Sequence, residues 1–261
     1  MRSLSFYKIS PTENMTVLVT DPVPRADQSS LASRLMAYDS IGAEQVGFIE
    51  PAENPAARAR LQMMGGEFCG NAAMSLAAVL AHEAGLTEGD FTLEVSGCPE
   101  PVTCRLESGP DGMTGTVSMP LPERLDAVEN YPAVFLPGIV HLIAPASDFP
   151  RKDEAEVFLR RVCETLDTDA GLMLFNEAAM TMTPCVHVRG TDSAVWERGC
   201  ASGTAALGAY LAARDGVSEI RVRQPGGSMT ARAEYQSGRL AALSVTGSVR
   251  IAAKGVAMIY P

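Results

Sequence analysis

Lysine is scarce. Lys8, Lys152 and Lys254 are the whole set, and none sits in a glycine-rich, phosphate-cradling stretch, so a pyridoxal Schiff base is disfavoured. His82, His141 and His187 are scattered along the chain. The six cysteines, at 69, 98, 104, 163, 185 and 200, form no Cys-x-x-Cys pair and no cysteine–histidine cluster at zinc spacing, which disfavours metal catalysis. A net charge of −10, with no cluster of Lys or Arg, argues against nucleic acid and anionic membrane as partners. The opening residues hold no apolar run long enough for a signal peptide, and no segment approaches a membrane span. The expected setting is the cytoplasm, where the cysteines read as free thiols. The expected partner is a small molecule, and no cofactor is expected.

What remains is a chain of 261 residues, 46% hydrophobic and 20% charged, a globular composition long enough for two domains. Its organising feature occurs twice. A shift of 131 positions lays Cys69 to Gly85 over Cys200 to Gly216 without a gap, and the cysteine, two leucines, two alanines and the final glycine coincide. Two residues after each cysteine stands a good N-cap, Asn71 or Ser202. Helix-favouring Ala and Leu follow, and Gly85 or Gly216 closes the run. Each thiol is therefore expected at the amino end of a helix, where unpaired N–H groups and the dipole lower a thiol's pKa and seat a carboxylate. Cys98, Cys104, Cys163 and Cys185 lack this context and read as packing residues.

Strands are expected at 4–9, 15–20, 45–50, 59–64, 91–95, 102–107 and 115–119, with a helix around Leu31, Leu35 and Met36 capped by Asp27 or Ser29. After the second cysteine helix, 220–224, 229–234 and 240–245 repeat the three strands that follow the first. Pro120 to Pro132 reads as a linker. Beyond it a strand at 138–144, a charged helix at 153–166 and a strand at 179–188 are expected. The closing residues supply one or two strands that return to the first domain. The expected domains are 1–119 plus 247–261, and 120–246.

These residues resemble the diaminopimelate-epimerase-like family of cofactor-independent amino-acid racemases. The likeness runs through Leu4 to Lys8 with Asn14, the segment Ile41 to Glu50 with Gln45, Cys69-Gly70-Asn71, Gly138 with His141, and Glu197-Arg198-Gly199-Cys200. It implies an α/β (α+β) fold of two pseudo-symmetric domains, each a mostly antiparallel sheet or barrel wrapped on a central helix. It further implies a site in the cleft between them that closes on substrate. Cys69 and Cys200 would be the acid and base, and the backbone N–H groups of Gly70, Asn71, Ala201 and Ser202 would hold the substrate α-carboxylate. Asn14, Gln45, Glu197 and Arg198 complete the substrate-binding set.

The departures bear on substrate. The asparagines that hold the distal carboxylate and amine of diaminopimelate are replaced here by Met63-Met64-Gly65-Gly66-Glu67 and Leu172-Met173-Leu174-Phe175, and the loop before the second cysteine is short. Within the family the chain most resembles the histidine racemases, with the methionines as a wall for an imidazole. Diaminopimelate epimerase, a racemase of another polar amino acid, a phenazine-biosynthesis-type isomerase and a non-enzymatic ligand-binding module are the alternatives. The sequence leaves the oligomeric state open, a homodimer among the options.

Overall fold

The computed structural model describes residues 2–109 and 112–260. By its internal contacts the chain divides into two compact units, Met1–Val117 with Thr246–Pro261, and Ser118–Val245. No helix among the described residues is long and apolar enough to cross a membrane.

The first unit is built from β1 (Arg2–Pro11), β2 (Thr16–Val19), β3 (Gln45–Glu50), β4 (Arg60–Met63), β5 (Gly89–Val95), β6 (Val102–Gly109) and β7 (Gly112–Ser118). Each pairs with the next in chain order. Two pairs are parallel, β2 with β3 and β4 with β5, and parallel neighbours need a crossover. Helix α1 (Arg25–Met36) makes the first crossover and α2 (Gly70–Glu83) the second. The helices differ as their sequences require. Gln28, Leu31, Ala32 and Leu35 give α1 one buried stripe, laid on Leu4, Phe6, Val17, Val19, Val46 and Phe48 of the strands. Helix α2, rich in Ala, Leu and Val, is buried round its whole circumference. Its close fit shows at Gly115, where a Cβ would lie 3.0 Å from Met74 Cγ. Neither Asp27 nor Ser29 caps α1. The residue before the helix is Pro24, and Asp27 falls within the first turn.

The second unit repeats the plan with β8 (Arg124–Val128), β9 (Tyr131–Leu136), β10 (Ile139–Pro145), α3 (Lys152–Leu166), β11 (Asp169–Asn176), β12 (Thr181–Val188), β13 (Ser193–Trp196), α4 (Ala201–Asp215), β14 (Glu219–Gln224) and β15 (Gly227–Gln236). The parallel pairs recur at the same places, β10 with β11 across α3 and β12 with β14 across α4. The duplication thus extends back through two strands, a helix and two more strands before each cysteine, well beyond the helix and three strands visible in the sequence. Helix α3 covers one sheet face through Ala155, Leu159, Val162 and Cys163. Like α2, α4 is buried on all sides, and at Gly208 a Cβ would lie 2.6 Å from that of Ala231 on β15.

Two expectations need correction. The proline-rich stretch from Pro120 to Pro132 is not a bare linker. It carries β8 and the start of β9, joined by Glu129 and Asn130 at φ +51° and +71°, the backbone a two-residue hairpin turn demands. The closing stretch forms one strand that returns to the first unit as expected, but the strand expected separately at 240–245 is continuous with it in β16 (Arg239–Ile259). Its first part pairs with β15 in the second unit, and from Thr246 onward it belongs to the first. There it lies between β7 and β1 and closes β1–β7 into a ring around α2. A register shift between Lys8 and Ile9 absorbs the mismatch along this long strand.

Candidate active site

Each conspicuous cysteine is itself a helix cap. Cys69 precedes α2 in an extended conformation, φ −135° and ψ 109°, and its sulfur accepts the N–H of Ala72 at 3.4 Å. Cys200 precedes α4 at φ −121° and ψ 111°, and its sulfur accepts from Gly203 at 3.3 Å. Asn71 and Ser202, the caps expected from sequence, lie two residues further in, as the second helical residue of each helix. Cysteine is an unusual cap, since Ser, Thr, Asp and Asn bind the exposed N–H groups better. Gly70 and Asn71, like Ala201 and Ser202, become the first two helical residues, whose N–H groups have no carbonyl one turn back within the helix.

In the first unit a buried amide cluster stands behind the sulfur. The Cys69 thiol donates to Gln45 Oε1 at 3.0 Å, and Gln45 Nε2 donates to Asn14 Oδ1 at 2.6 Å and to Thr16 Oγ1 at 2.7 Å. Thr16 gives its own hydrogen to the Asn14 carbonyl at 3.1 Å. Local structure sets these positions. Thr12 and Glu13 at positive φ turn the chain between β1 and β2 and deliver Asn14 to the turn exit, while Thr16 and Gln45 are register partners at the starts of β2 and β3. Asn14, Thr16 and Gln45 are all buried, whereas Cys69 is half-buried. Thr16 escaped the sequence reading because a threonine at a strand start is ordinary β-forming chemistry.

In the second unit the corresponding cluster holds the backbone. Cys200 N–H donates to Gln224 Oε1 at 2.8 Å, Gln224 Nε2 to Thr204 Oγ1 at 2.7 Å, and Thr204 Oγ1 to the Cys200 carbonyl at 2.6 Å. Gln224 and Thr204 were not anticipated. A glutamine ending a strand gives no local sign that it turns inward. The Glu197 carboxylate accepts a hydrogen bond from the Cys200 thiol. Burial pushes that thiol well above its ordinary pKa, Glu197 adds to the shift by its charge and its hydrogen bond, and Ser202 and the Gly203 N–H oppose it. The expected lowering by the helix end is thus reversed at Cys200, because desolvation in a closed site outweighs one N–H group. Arg198 is engaged differently, its side chain donating to the Pro225 carbonyl at 3.4 Å and its carbonyl accepting from Gly226.

His141 is wholly buried on β10 opposite Gly171, and burial drives its pKa down to about 3, so the imidazole is neutral. Its ring fills the space a side chain at Gly171 would need, with Nδ1 2.2 Å from an ideal Cβ there. Of the methionines expected as a wall, Met64 instead packs in the α1 core, while Met173 lies against Gly203 in the first turn of α4. The packing role read for Cys104, Cys163 and Cys185 agrees with burial that raises Cys104 and Cys185 to about 12 and Cys163 to about 11, whereas Cys98 is only half-buried.

Known proteins resemble the chain along nearly its whole length. The family model described as the histidine racemase CntK N-terminal domain matches residues 3–258. A histidine racemase of Staphylococcus aureus is 31% identical, covering 98% of this chain and 98% of the relative. One from Fusobacterium nucleatum is 30% identical, covering 97% and 96%. Among solved structures, a probable proline racemase from Agrobacterium radiobacter superposes with a TM-score of 0.71 at 14% identity, over 98% of this chain and 93% of that one. A hydroxyproline epimerase from Agrobacterium vitis gives 0.70 at 14% identity, over 100% and 94%. At this identity the structural likeness shows a shared α+β fold.

Proposed function

Because the chain belongs to the histidine racemase family, we propose that it inverts the α-carbon of an amino acid, histidine foremost, without a cofactor, and that Cys69 and Cys200 are its acid and base. The observation that carries this reading is the double placement of a sulfur as the cap of a buried helix, at equivalent points of two units with one plan. A cap position serves two needs of this chemistry. It offers the thiolate an N–H donor, and it leaves the next two backbone N–H groups aimed past the sulfur.

An amino-acid Cα–H is a very weak acid, so its removal needs stabilisation of the carbanion as well as a base. The charge moves onto the substrate carboxylate as enediolate character. The N–H groups of Gly70 and Asn71, and of Ala201 and Ser202, are the donors proposed to meet it, each such preorganised donor contributing on the order of 3 kcal/mol. One cysteine as thiolate takes the proton from one face of Cα. The other, as thiol, delivers a proton to the opposite face, and their states are exchanged when the product leaves. Glu197, as acceptor of the Cys200 hydrogen, favours the thiol at that position. Met173, fully buried against Gly203, holds the first turn of α4 in place rather than meeting the substrate.

The test is to incubate the protein with L-histidine and a panel of other L-amino acids in deuterium oxide, following Cα deuteration and the D-enantiomer. Histidine is expected to exchange fastest, and Cys69→Ala and Cys200→Ala are each expected to lose racemisation by at least about a thousandfold. Undiminished racemisation in either variant would end the two-thiol mechanism. Exchange with diaminopimelate but not with histidine would reassign the substrate.

A further inference from the structure

We propose that Gln45, backed by Asn14 and Thr16, is a reversible hydrogen-bond relay that stabilises Cys69 in either of its protonation states. The inference rests on the reading of Cys69 as an acid and base. A thiol that must gain and lose a proton in every cycle poses a problem for a fixed neighbour, because a group that accepts from S–H repels the thiolate left behind.

The present arrangement suits the thiol. Thr16 spends its hydrogen on the Asn14 carbonyl and Asn14 Oδ1 can only accept, so Gln45 Nε2 is held as a double donor and Oε1 is left facing the sulfur. An oxygen in that place needs a hydrogen on Cys69. The arrangement has one defect: Asn14 Nδ2 is buried with no hydrogen-bond partner among the described residues. Turning both amides over gives Asn14 Nδ2 an acceptor and puts Oδ1 in the unpartnered place instead. Gln45 Nε2 then donates to the sulfur, and Oε1 accepts from Asn14 Nδ2 and from the Thr16 hydroxyl. The two arrangements exchange nitrogen for oxygen and leave the heavy-atom framework in place. In the second the sulfur is a thiolate with a donor against it. A Gln–Asn pair backed by a hydroxyl can do this because each amide carries both a donor and an acceptor. A carboxylate at either position would freeze one state. At Cys200 the acceptor is the Glu197 carboxylate, so the relay belongs to Cys69 alone.

The titratable groups on the elements packed against α2 have the following contacts. On β1, Lys8 donates to the Ile41 carbonyl and Tyr7 to Glu83 at the far end of the helix. On β4 and β5, Arg60 is paired with Glu50 and Glu94, and Asp90 is exposed. On β6, Arg105 and Glu107 pair at the surface and Cys104 is a buried thiol. Glu67, two residues before Cys69, accepts from Gly65 N–H.

The test reads the sulfur directly, through the rate at which iodoacetamide alkylates Cys69 in the full chain across the neutral to alkaline range, scored by peptide mass spectrometry. A relay gives the thiolate a charge-assisted bond, stronger than the one it gives the thiol. Gln45→Leu and Gln45→Met should therefore raise the apparent Cys69 pKa by about one unit, with Thr16→Ser leaving it unchanged. An amide fixed as acceptor gives the opposite sign, because its removal would free the thiolate from a facing oxygen. A fall in pKa, or no change, in the folded Gln45 variants overturns the relay. Two variants of different shape guard against misfolding, which thermal unfolding by circular dichroism would reveal. Racemisation by Cys69→Ala separately tests the catalytic reading, and the alkylation shift does not depend on turnover.

Discussion

Gly203→Ala probes the second cysteine through packing alone. Gly203 is the residue whose N–H reaches the Cys200 sulfur, and a Cβ there would lie 2.1 Å from Met173 Sδ, 3.1 Å from its Cε and 3.2 Å from Cys200 Sγ. Ordinary contact is about 3.5 Å, so the methionine sulfur must retreat by more than 1 Å or so. It has little room. Met173 is fully buried, and its methyl lies 2.9 Å from where a Cβ on Gly171 would stand, beside the His141 ring. Overpacking of this kind costs about 1–3 kcal/mol, and the contact is close enough to favour the upper end. Alanine in place of glycine returns at most about 1 kcal/mol of helix propensity. The expected net loss is about 2 kcal/mol, read from the urea midpoint at unchanged m-value, with Cα exchange reduced as Cys200 is displaced. A second substitution gives the decisive comparison. Met173→Ala alone should cost about 2–5 kcal/mol by leaving a cavity, but in the Gly203→Ala background it should cost at least about 1 kcal/mol less. If Gly203→Ala is neutral or stabilising, or if the two losses simply add, the contact does not govern this turn.

Two further outcomes follow from the electrostatics. Glu197→Gln removes the charge and weakens the acceptor that hold the Cys200 proton, so the Cys200 pKa should fall and the alkaline limb of the kcat/KM profile should move to lower pH. An unmoved or upward-shifted limb would separate Glu197 from that thiol. The buried thiols of Cys104 and Cys185 stand at about 12, raised by desolvation above the unfolded value of about 8.5. A raised folded pKa leaves their contribution intact below about pH 8.5 and removes it as pH climbs toward 12. Each should cost about 2 kcal/mol of stability by pH 10. Urea unfolding at neutral pH and near pH 10 measures the slope, Cys104→Ala should reduce it, and a flat profile would refute the assignment.

The fold was legible where the pattern is local. Alternating apolar residues marked β5 and β6, the alanine-rich runs marked α2 and α4, and Gly85 and Gly216, both at positive φ, close those helices as read. Long-range pairing was not legible. Nothing local joins residues 240–245, 248–251 and 256–260 into one strand. Their union in β16 is imposed by partners as distant as Arg2, opposite Ile259. The prolines near 120–132 suggested a linker because proline breaks local pattern, yet Pro132 sits in β9 opposite Ala127.

At the candidate site, the order of residues already distinguished two cysteines from six, because only these two stand before an alanine-rich run that occurs twice. It also supplied Asn14, Gln45 and Glu197 through family likeness, with no account of what they touch. Which atom caps the helix, which amide faces which sulfur, and whether burial or a helix end governs a thiol were decided by the folded chain. Those properties depend on hydrogen-bond direction and on exclusion of water, and both arise only when residues 31 positions apart, such as Asn14 and Gln45, close around one atom.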